Sequence, residues 1–462
     1  MDFLQILDAP VEPGGLVEWI PTVEGGLGNW HRDDRQTSHN HEQHLRDAFE
    51  HRARTQREGG RESWLGLSIN FDEPMSVPAI RAALIAWISR HEVLRTHVVL
   101  KRDGTERYST PPETVRLKMT RIGWYTESTM LLEQVAGSFD RATAPLHWPA
   151  YRFATVARGD SFTLLFAADH SLVDGYSLVT AQYELTELYR AERDRRAAVL
   201  PETGSYIDFG DAERRAADNA DSAHPAVRTW RTFVDHHGVP FFAPLRPTVG
   251  DSPDPFMVEH PAQASRTERL LDETSTRRFE AACAATGGNL VAGVLAALAL
   301  AYHRAAPESE FSCVMPRHTR DDARWQHSLG WFVGLAPIAF PVDDGTDMAE
   351  ATRLASDALR AGRHGATLPF LRVAELLGET PVPKFVVSFM DSRGTPTADA
   401  ADAGGAQVLR SHSYAGDEMY VWVNRTPSGL RMHSRYPAEQ PGRVVPFLDD
   451  FADLLASTAD GR

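Results

Sequence analysis

Cysteine is scarce: Cys283 and Cys313 are the only two in 462 residues. Neither sits in a metal-type cluster, and one bridge is the most they could form. Cys283 falls in an alanine-rich helical run and Cys313 in a strand-like run, so both read as reduced core residues rather than nucleophiles. Long apolar runs are lacking too. The most apolar stretch, Leu290 to Tyr302, is shorter than the roughly 20 residues a membrane span needs. A buried helix is the better reading. Met1-Asp2-Phe3-Leu4 opens without a basic region followed by a long apolar one, so no signal peptide is evident. A cytoplasmic protein is expected, with a peripheral contact at the inner face of a membrane still compatible. Positive charge is in deficit: 48 Lys and Arg face 63 Asp and Glu, a net charge of −15. Phosphate binding by nucleic-acid readers needs a basic stripe, and none is visible, so a nucleic-acid partner is not expected. There is no Gly-x-Ser-x-Gly elbow and no good Cys-His pair. Direct attack by an acceptor is therefore favoured over a covalent enzyme intermediate.

What the sequence does hold is a globular composition, 42% hydrophobic and 24% charged. The length exceeds one ordinary core, so two or three lobes are expected. Residues up to about Thr37 are Gly- and Pro-rich and read as an ordered but irregular arm. Ser38 to His44 carries three histidines, His39, His41 and His44. Their spacing matches neither a zincin helix nor a Cys/His finger, so a polar helix start is preferred and no metal site is assigned. Leu65, Leu67, Ile69 and Phe71 alternate as a strand. Ser76 caps a helix with Pro78 in its first turn and Ile80, Leu84, Trp87 and Ile88 on its buried face. Arg90 to Thr96 closes that helix, and Asp103-Gly104 turns a hairpin. Arg158-Gly159-Asp160-Ser161 spells a recognition tripeptide but reads as a hairpin turn. Residues 201–226 shift in composition and make the best lobe boundary, which divides the chain into lobes 1–200 and 227–462. The second half again shows strand, helix and hairpin: a strand at Thr267–Leu271, a helix near Ser275–Ala285, and a helix capped by Asn289. Strands at Phe311–Met315, Phe385–Phe389, Tyr420–Asn424 and Leu430–His433 complete the pattern. The element order suggests an α/β (α+β) protein of two similar lobes. His236-His237 carries no role, because Gly238-Val239-Pro240 follows it.

One stretch organises the rest: Ala167-Ala168-Asp169-His170-Ser171-Leu172-Val173-Asp174-Gly175. The alternating Phe162, Leu164 and Phe166 before it read as a half-buried strand. Leu178, Leu185, Leu188 and Tyr189 after it read as one side of a helix. His170 thus stands where a strand gives way to a turn, with the pKa class to take a proton near neutral pH. Asp174-Gly175 supplies turn chemistry: a short carboxylate that can bond local backbone, then a residue free to take positive φ.

Residues 169–175 resemble the His-His-x-x-x-Asp-Gly signature of the condensation-domain superfamily, which includes chloramphenicol-type acetyltransferases. Three further stretches agree in order. Arg90 to Thr96 resembles the Arg-His-Glu-x-Leu-Arg-Thr block. Tyr206-Ile207-Asp208-Phe209, with Trp230 beyond, resembles the Tyr-x-Asp block. Gly330-Trp331-Phe332-Val333-Gly334-Leu335-Ala336-Pro337 resembles the Gly-x-Phe-x-Asn-x-x-Pro block. Trp after the first Gly, and Gly in place of Asn, are most similar to the polyketide-associated acyltransferases of mycobacterial lipid synthesis. Ser388-Phe389-Met390-Asp391 and Val421-Trp422-Val423-Asn424-Arg425 are also similar to that branch.

The resemblance implies two chloramphenicol-acetyltransferase-like lobes forming a V with a tunnel at their interface. It implies His170 as general base, Asp174 in a buried cross-lobe pair with Arg320, and Gly175 where a side chain would crowd the substrate channel. Trp331, Phe332, Ser388 and Asn424 would line or support the tunnel. Asp169 departs from the family's usual His and reads as a structural, hydrogen-bonding residue. The implied activity is acyl transfer from acyl-CoA or a phosphopantetheinyl carrier protein to a hydroxyl of a lipid, glycolipid or polyketide. No cofactor is held permanently, any carrier protein or polyketide synthase acts in trans, and the chain reads as a monomer. A free-standing nonribosomal-peptide-type condensation enzyme is the nearest alternative. A non-catalytic carrier-docking scaffold is a third, and it would not need the set His170, Asp174, Gly175 and Arg320.

Overall fold

The computed structural model describes residues 1–55, 64–246, 262–306, 308–378, 382–412 and 415–462. The chain is a mixed α/β fold of two compact units, each discontinuous in sequence. The first takes residues 1–219 and draws in 320–332 and 394–412 from the second half of the chain; the second takes 220–319, 333–393 and 413–462.

The first unit is built on a seven-stranded sheet. Its order is Asp2–Gln5, Gln407–Arg410, Trp64–Phe71, Phe162–Asp169, Tyr151–Ala157, Gly15–Val23 and Val115–Trp124. The strand leading to His170, Phe162–Asp169, is therefore central, paired antiparallel on both sides. Its alternation suggests a half-buried strand, yet all eight residues are buried. The reason is cover on both faces. Leu165 and Ala167 join a cluster with Leu131, Val135 and Phe139 of the helix Ser128–Ala142. On the other face Phe166 meets Trp87 with ring centroids 5.1 Å apart, and Phe162 meets Tyr189 at 5.1 Å. Trp87 belongs to the helix Val77–Arg90 and Tyr189 to the helix Gly175–Asp194.

The second unit holds a six-stranded sheet in the order Gln263–Asp272, Gly429–Pro437, Met419–Thr426, Phe385–Asp391, Glu310–His318 and Val333–Pro341. The apolar run expected as a buried helix is the helix Leu290–Ala305, capped by Asn289 Oδ1 accepting from the Ala292 amide at 2.9 Å. It packs against helices Met348–Gly362 and Pro441–Ala459 within one core. Cys283 and Cys313 lie free in that core, and burial pushes the Cys283 thiol up to about 12. Among the described residues, no single helix is long and apolar enough to cross a membrane.

Two expectations differ from what is observed. The N-terminal arm is not irregular: Gly15–Val23 is a nine-residue strand inside the sheet, with Trp19 fully buried. Residues 201–226 hold the helix Tyr206–Asp218, whose Tyr206, Ile207 and Phe209 are buried, and the start of Pro225–His237. The polar Ala/Asp/Arg composition reflects one exposed face of a helix, not a loose connection.

The Gly330 block is tied to this helix. A Cβ at Gly330 would lie 2.3 Å from the Tyr206 ring, and the Tyr206 hydroxyl donates to the Trp331 carbonyl at 3.2 Å. Gly330→Ala is therefore expected to lower stability by about 1–3 kcal/mol through overpacking. Thermal unfolding of the variant checks this, and an unchanged melting temperature would contradict the contact.

Candidate active site

The site grows from the C-terminal end of the central strand. Asp169 closes the strand, its amide donating to the Ala150 carbonyl at 2.9 Å. The Leu172 amide returns to the Asp169 carbonyl at 2.9 Å, which makes the turn that carries His170. Asp174 then caps the helix Gly175–Asp194, its Oδ1 accepting from the Ser177 amide at 2.7 Å. Gly175 is the first helical residue and is not among the glycines of positive φ. The free φ expected for this glycine is not used, because Asp174 itself makes the turn. A Cβ at Gly175 would stand 3.5 Å from Phe3, an ordinary contact. Packing within this unit thus does not demand the glycine.

Asp174 and Arg320 form a bidentate pair, Arg320 Nη1 to Oδ2 at 2.8 Å and Nη2 to Oδ1 at 3.0 Å. Both residues are almost wholly buried, at 2% and 3% exposure. Oδ2 also accepts from the Phe332 amide at 3.0 Å. Arg320 Nη2 donates to Ser177 Oγ at 2.8 Å, and the guanidinium lies 4.3 Å from the Phe332 ring centroid and 4.9 Å from that of Tyr176. Burial alone would raise the Asp174 pKa; the Arg320 charge and hydrogen bonds, with the Ser177 and Phe332 amides, hold it below the usual carboxylate value. Both partners lie in the first unit, so the pair is not the cross-lobe bridge expected from sequence. The chain segment 320–332 belongs with the motif it supports.

His170 is half-buried, and its Nδ1 is buried without a hydrogen-bond partner among the described residues. Its ring centroid is 4.9 Å from that of Trp331, tilted at 44°. Burial lowers its pKa; its own main-chain carbonyl, Asp169 and Asp174 pull upward and His44 downward, and the net is a fall below 6.5. The ring is thus neutral at pH 7 and able to accept a proton.

Asp169 is fully buried. Its Oδ1 accepts from the Ser171 amide at 3.0 Å, and its Oδ2 lies 2.9 Å from His44 Nε2. Burial would raise its pKa, but the His44 charge and hydrogen bond and the Ser171 bonds lower it. His44 comes from the three-histidine run, whose members separate in the fold. His39 Nε2 pairs with Asp218 at 2.8 Å, while His41 is buried and pushed down to about 3, first by burial and then by Arg107 and His44. Sequence reasoning did not connect His44 to the motif. Nothing local could have done so, since 125 residues separate it from Asp169.

Of the remaining expected site residues, Trp331 faces His170, whereas Phe332 is fully buried against Arg320, Tyr206 and Phe209. It supports the site and does not line it. Asn424 is likewise buried, within a strand of the second unit's sheet, where its Nδ2 has no hydrogen-bond partner among the described residues. Ser388, in the neighbouring strand, is partly exposed and stands opposite Trp422.

The Arg90 block anchors the helix that follows the motif. The Glu184 carboxylate accepts from Arg90 Nε at 2.8 Å and Trp87 Nε1 at 2.8 Å, and His91 Nε2 lies 2.5 Å from it. Glu184 lies on the helix capped by Asp174, so the block fixes the far side of that helix. The three conspicuous sequence blocks are thus one support around a single histidine.

A histidine on a turn, held by a buried Asp–Arg pair in this two-unit α/β fold, defines a class. Residues 58–388, more than half of the chain, match the family model "Condensation domain". The chain is 26% identical over 455 residues to the acyltransferase PapA3 of Mycobacterium tuberculosis, covering 93% of this chain and 92% of the relative. It is 28% identical over 471 residues to the trehalose-2-sulfate acyltransferase PapA2 of Mycobacterium bovis, covering 97% and 96%. The solved structure of a PapA2 acyl transferase superposes with a TM-score of 0.86 over 100% of both chains at 23% identity. The chain belongs to the condensation-domain family. It is an acyltransferase.

Removing Arg320 leaves a buried carboxylate uncompensated. Arg320→Ala is expected to cost about 3–5 kcal/mol of stability. The double variant with Asp174→Ala should cost less than the sum of the two single changes. Because the folded-state pKa of Asp174 is depressed, the stabilisation is present above its unfolded value near 4 and is lost as pH falls through the folded value. Denaturant unfolding at pH 7 and at pH 3 checks both points. Wild-type stability in Arg320→Ala would contradict the assignment.

Proposed function

We propose that this protein transfers an acyl group from a thioester donor, acyl-CoA or an acyl carrier protein acting in trans, to a hydroxyl of a lipid, glycolipid or polyketide acceptor. The observation that carries this reading is His170: neutral at pH 7, set on a rigid turn beside Trp331, in a family of acyl-transfer enzymes. His170 takes the hydroxyl proton as the oxygen attacks the thioester carbonyl. The C–O bond forms, the C–S bond breaks, and the proton passes from His170 to the departing thiolate. Asp174 and Arg320 touch none of the reacting atoms; they hold the turn. The glycolipid class of acceptor is supported by the relative PapA2, whose name gives it trehalose-2-sulfate as acceptor.

The deciding experiment incubates the purified chain with acyl-CoA or acyl-carrier donors and with hydroxyl and amine acceptors, comparing His170→Ala. Ester formation lost in the variant is the expected result, a drop of about 10²-fold or more. Undiminished transfer would remove His170 from the base role. Amide formation in preference to ester would support a nonribosomal-peptide-type condensation enzyme instead. Since the His170 pKa is lowered, kcat/KM should hold its plateau below pH 6.5 and fall only at more acidic pH. Gly175→Ala should leave stability within about 0.5 kcal/mol, so a fall in its turnover, measured beside its melting temperature, would locate substrate against that residue.

A further inference from the structure

Asp169 and His44 sit directly behind the candidate base. Asp169 precedes His170 in the chain, and its Oδ1 holds the amide of Ser171, the residue on the other side of His170. Its Oδ2 is held by His44 Nε2 at 2.9 Å, from the helix His39–Thr55. His44 also meets Trp331 edge-on, with centroids 5.9 Å apart, the same indole that packs 4.9 Å from His170. His44 therefore reaches His170 by two routes: through the carboxylate that clamps the backbone on both sides of it, and through the shared indole. A carboxylate that is 0% exposed beside an imidazole that is 20% exposed favours the charged pair, because an unpaired buried carboxylate is costly.

We propose that His44, paired with Asp169, is a positioning residue of the acyl-transfer site, which as an imidazolium fixes the His170 turn and opposes a second positive charge on His170. The inference rests on the reading of His170 as base. The charged and titratable groups around the dyad agree with it. His41, on the same helix, is buried and uncharged near neutral pH. Arg107 and His97, from the neighbouring hairpin strands, act on His41. The charges that act on His170 are those of His44, Asp169 and Asp174, the last paired with Arg320. His44 is then the one group among these whose charge opposes protonation of His170.

The test is His44→Gln in the full chain, which keeps a hydrogen-bond donor toward Asp169 and removes the charge. Expected are a fall in kcat of about tenfold, less than the roughly 100-fold that a 1 Å misplacement of a reacting group can cost, and a shift of the acid limb of the kcat/KM profile toward higher pH. KM should change less than kcat. A profile that does not move overturns the inference, since a merely structural histidine would not set that limb. As a check that needs no variant, nitrogen-15 NMR of the wild-type histidines should show His44 doubly protonated and His170 neutral at pH 7. A neutral His44 there also overturns it. His170→Ala separates the two readings. If that variant stays active, the base reading falls and this inference with it. If it is inactive while His44→Gln leaves the limb in place, only the role of His44 falls.

Discussion

The buried pair of Asp174 and Arg320 is the constraint on which the rest of the site depends. Taking both charges out of water costs several kcal/mol, and the mutual attraction offsets that only if every remaining polar atom finds a partner. Here the partners are nearly complete. Asp174 accepts from both terminal nitrogens of Arg320, from the Ser177 amide that starts the helix, and from the Phe332 amide. Arg320 Nε has no hydrogen-bond partner among the described residues, but the guanidinium lies over Phe332 and Tyr176. Such a network has one good arrangement, so it specifies where the helix begins, where residues 320–332 run, and hence where Trp331 stands.

Around that pair the support is layered. The strand before the motif is central and buried on both faces, so the turn at its end inherits a rigid origin. Glu184 ties the helix after the motif to Trp87, Arg90 and His91. Tyr206 fills the space that the missing side chain of Gly330 leaves. Against this density of hydrogen bonds, His170 Nδ1 is buried and among the described residues meets no partner in hydrogen-bond geometry, its own main-chain carbonyl being the group that raises its pKa. Rigid surroundings and an imidazole kept neutral by burial agree with the proton-accepting role proposed for His170, since the aim of such a group must not wander.

Much of this was legible in the chain. Periodicity located the strands at 64–71 and 162–169, and cap chemistry located the helices beginning after Ser76 and Asn289. The short strands Asp2–Gln5 and Gln407–Arg410 were not legible, because four residues carry too little alternation to stand out. The second joins the first unit's sheet from 336 residues beyond Phe71 of the strand it pairs with, a placement that only the closed sheet defines. Gly15–Val23 was obscured by the Gly and Pro around it, although Trp19 is one of the largest fully buried side chains.

The sequence by itself placed a histidine, an aspartate and a glycine at a strand end, a turn and a helix start, and its resemblance to condensation domains supplied the class of chemistry, the arginine and the three supporting blocks. Local spacing is enough for the strand end, the turn and the cap, since these involve residues within a few positions of one another. Tertiary structure alone decided the roles that depend on long separation. It placed Arg320 in the same unit as Asp174, sent Phe332 into the core, relieved Gly175 of any need for positive φ, and brought His44 to Asp169. Burial and charge pairing act through space. No spacing in the chain records that a histidine on the first helix and an aspartate at the end of the central strand will share a proton's distance.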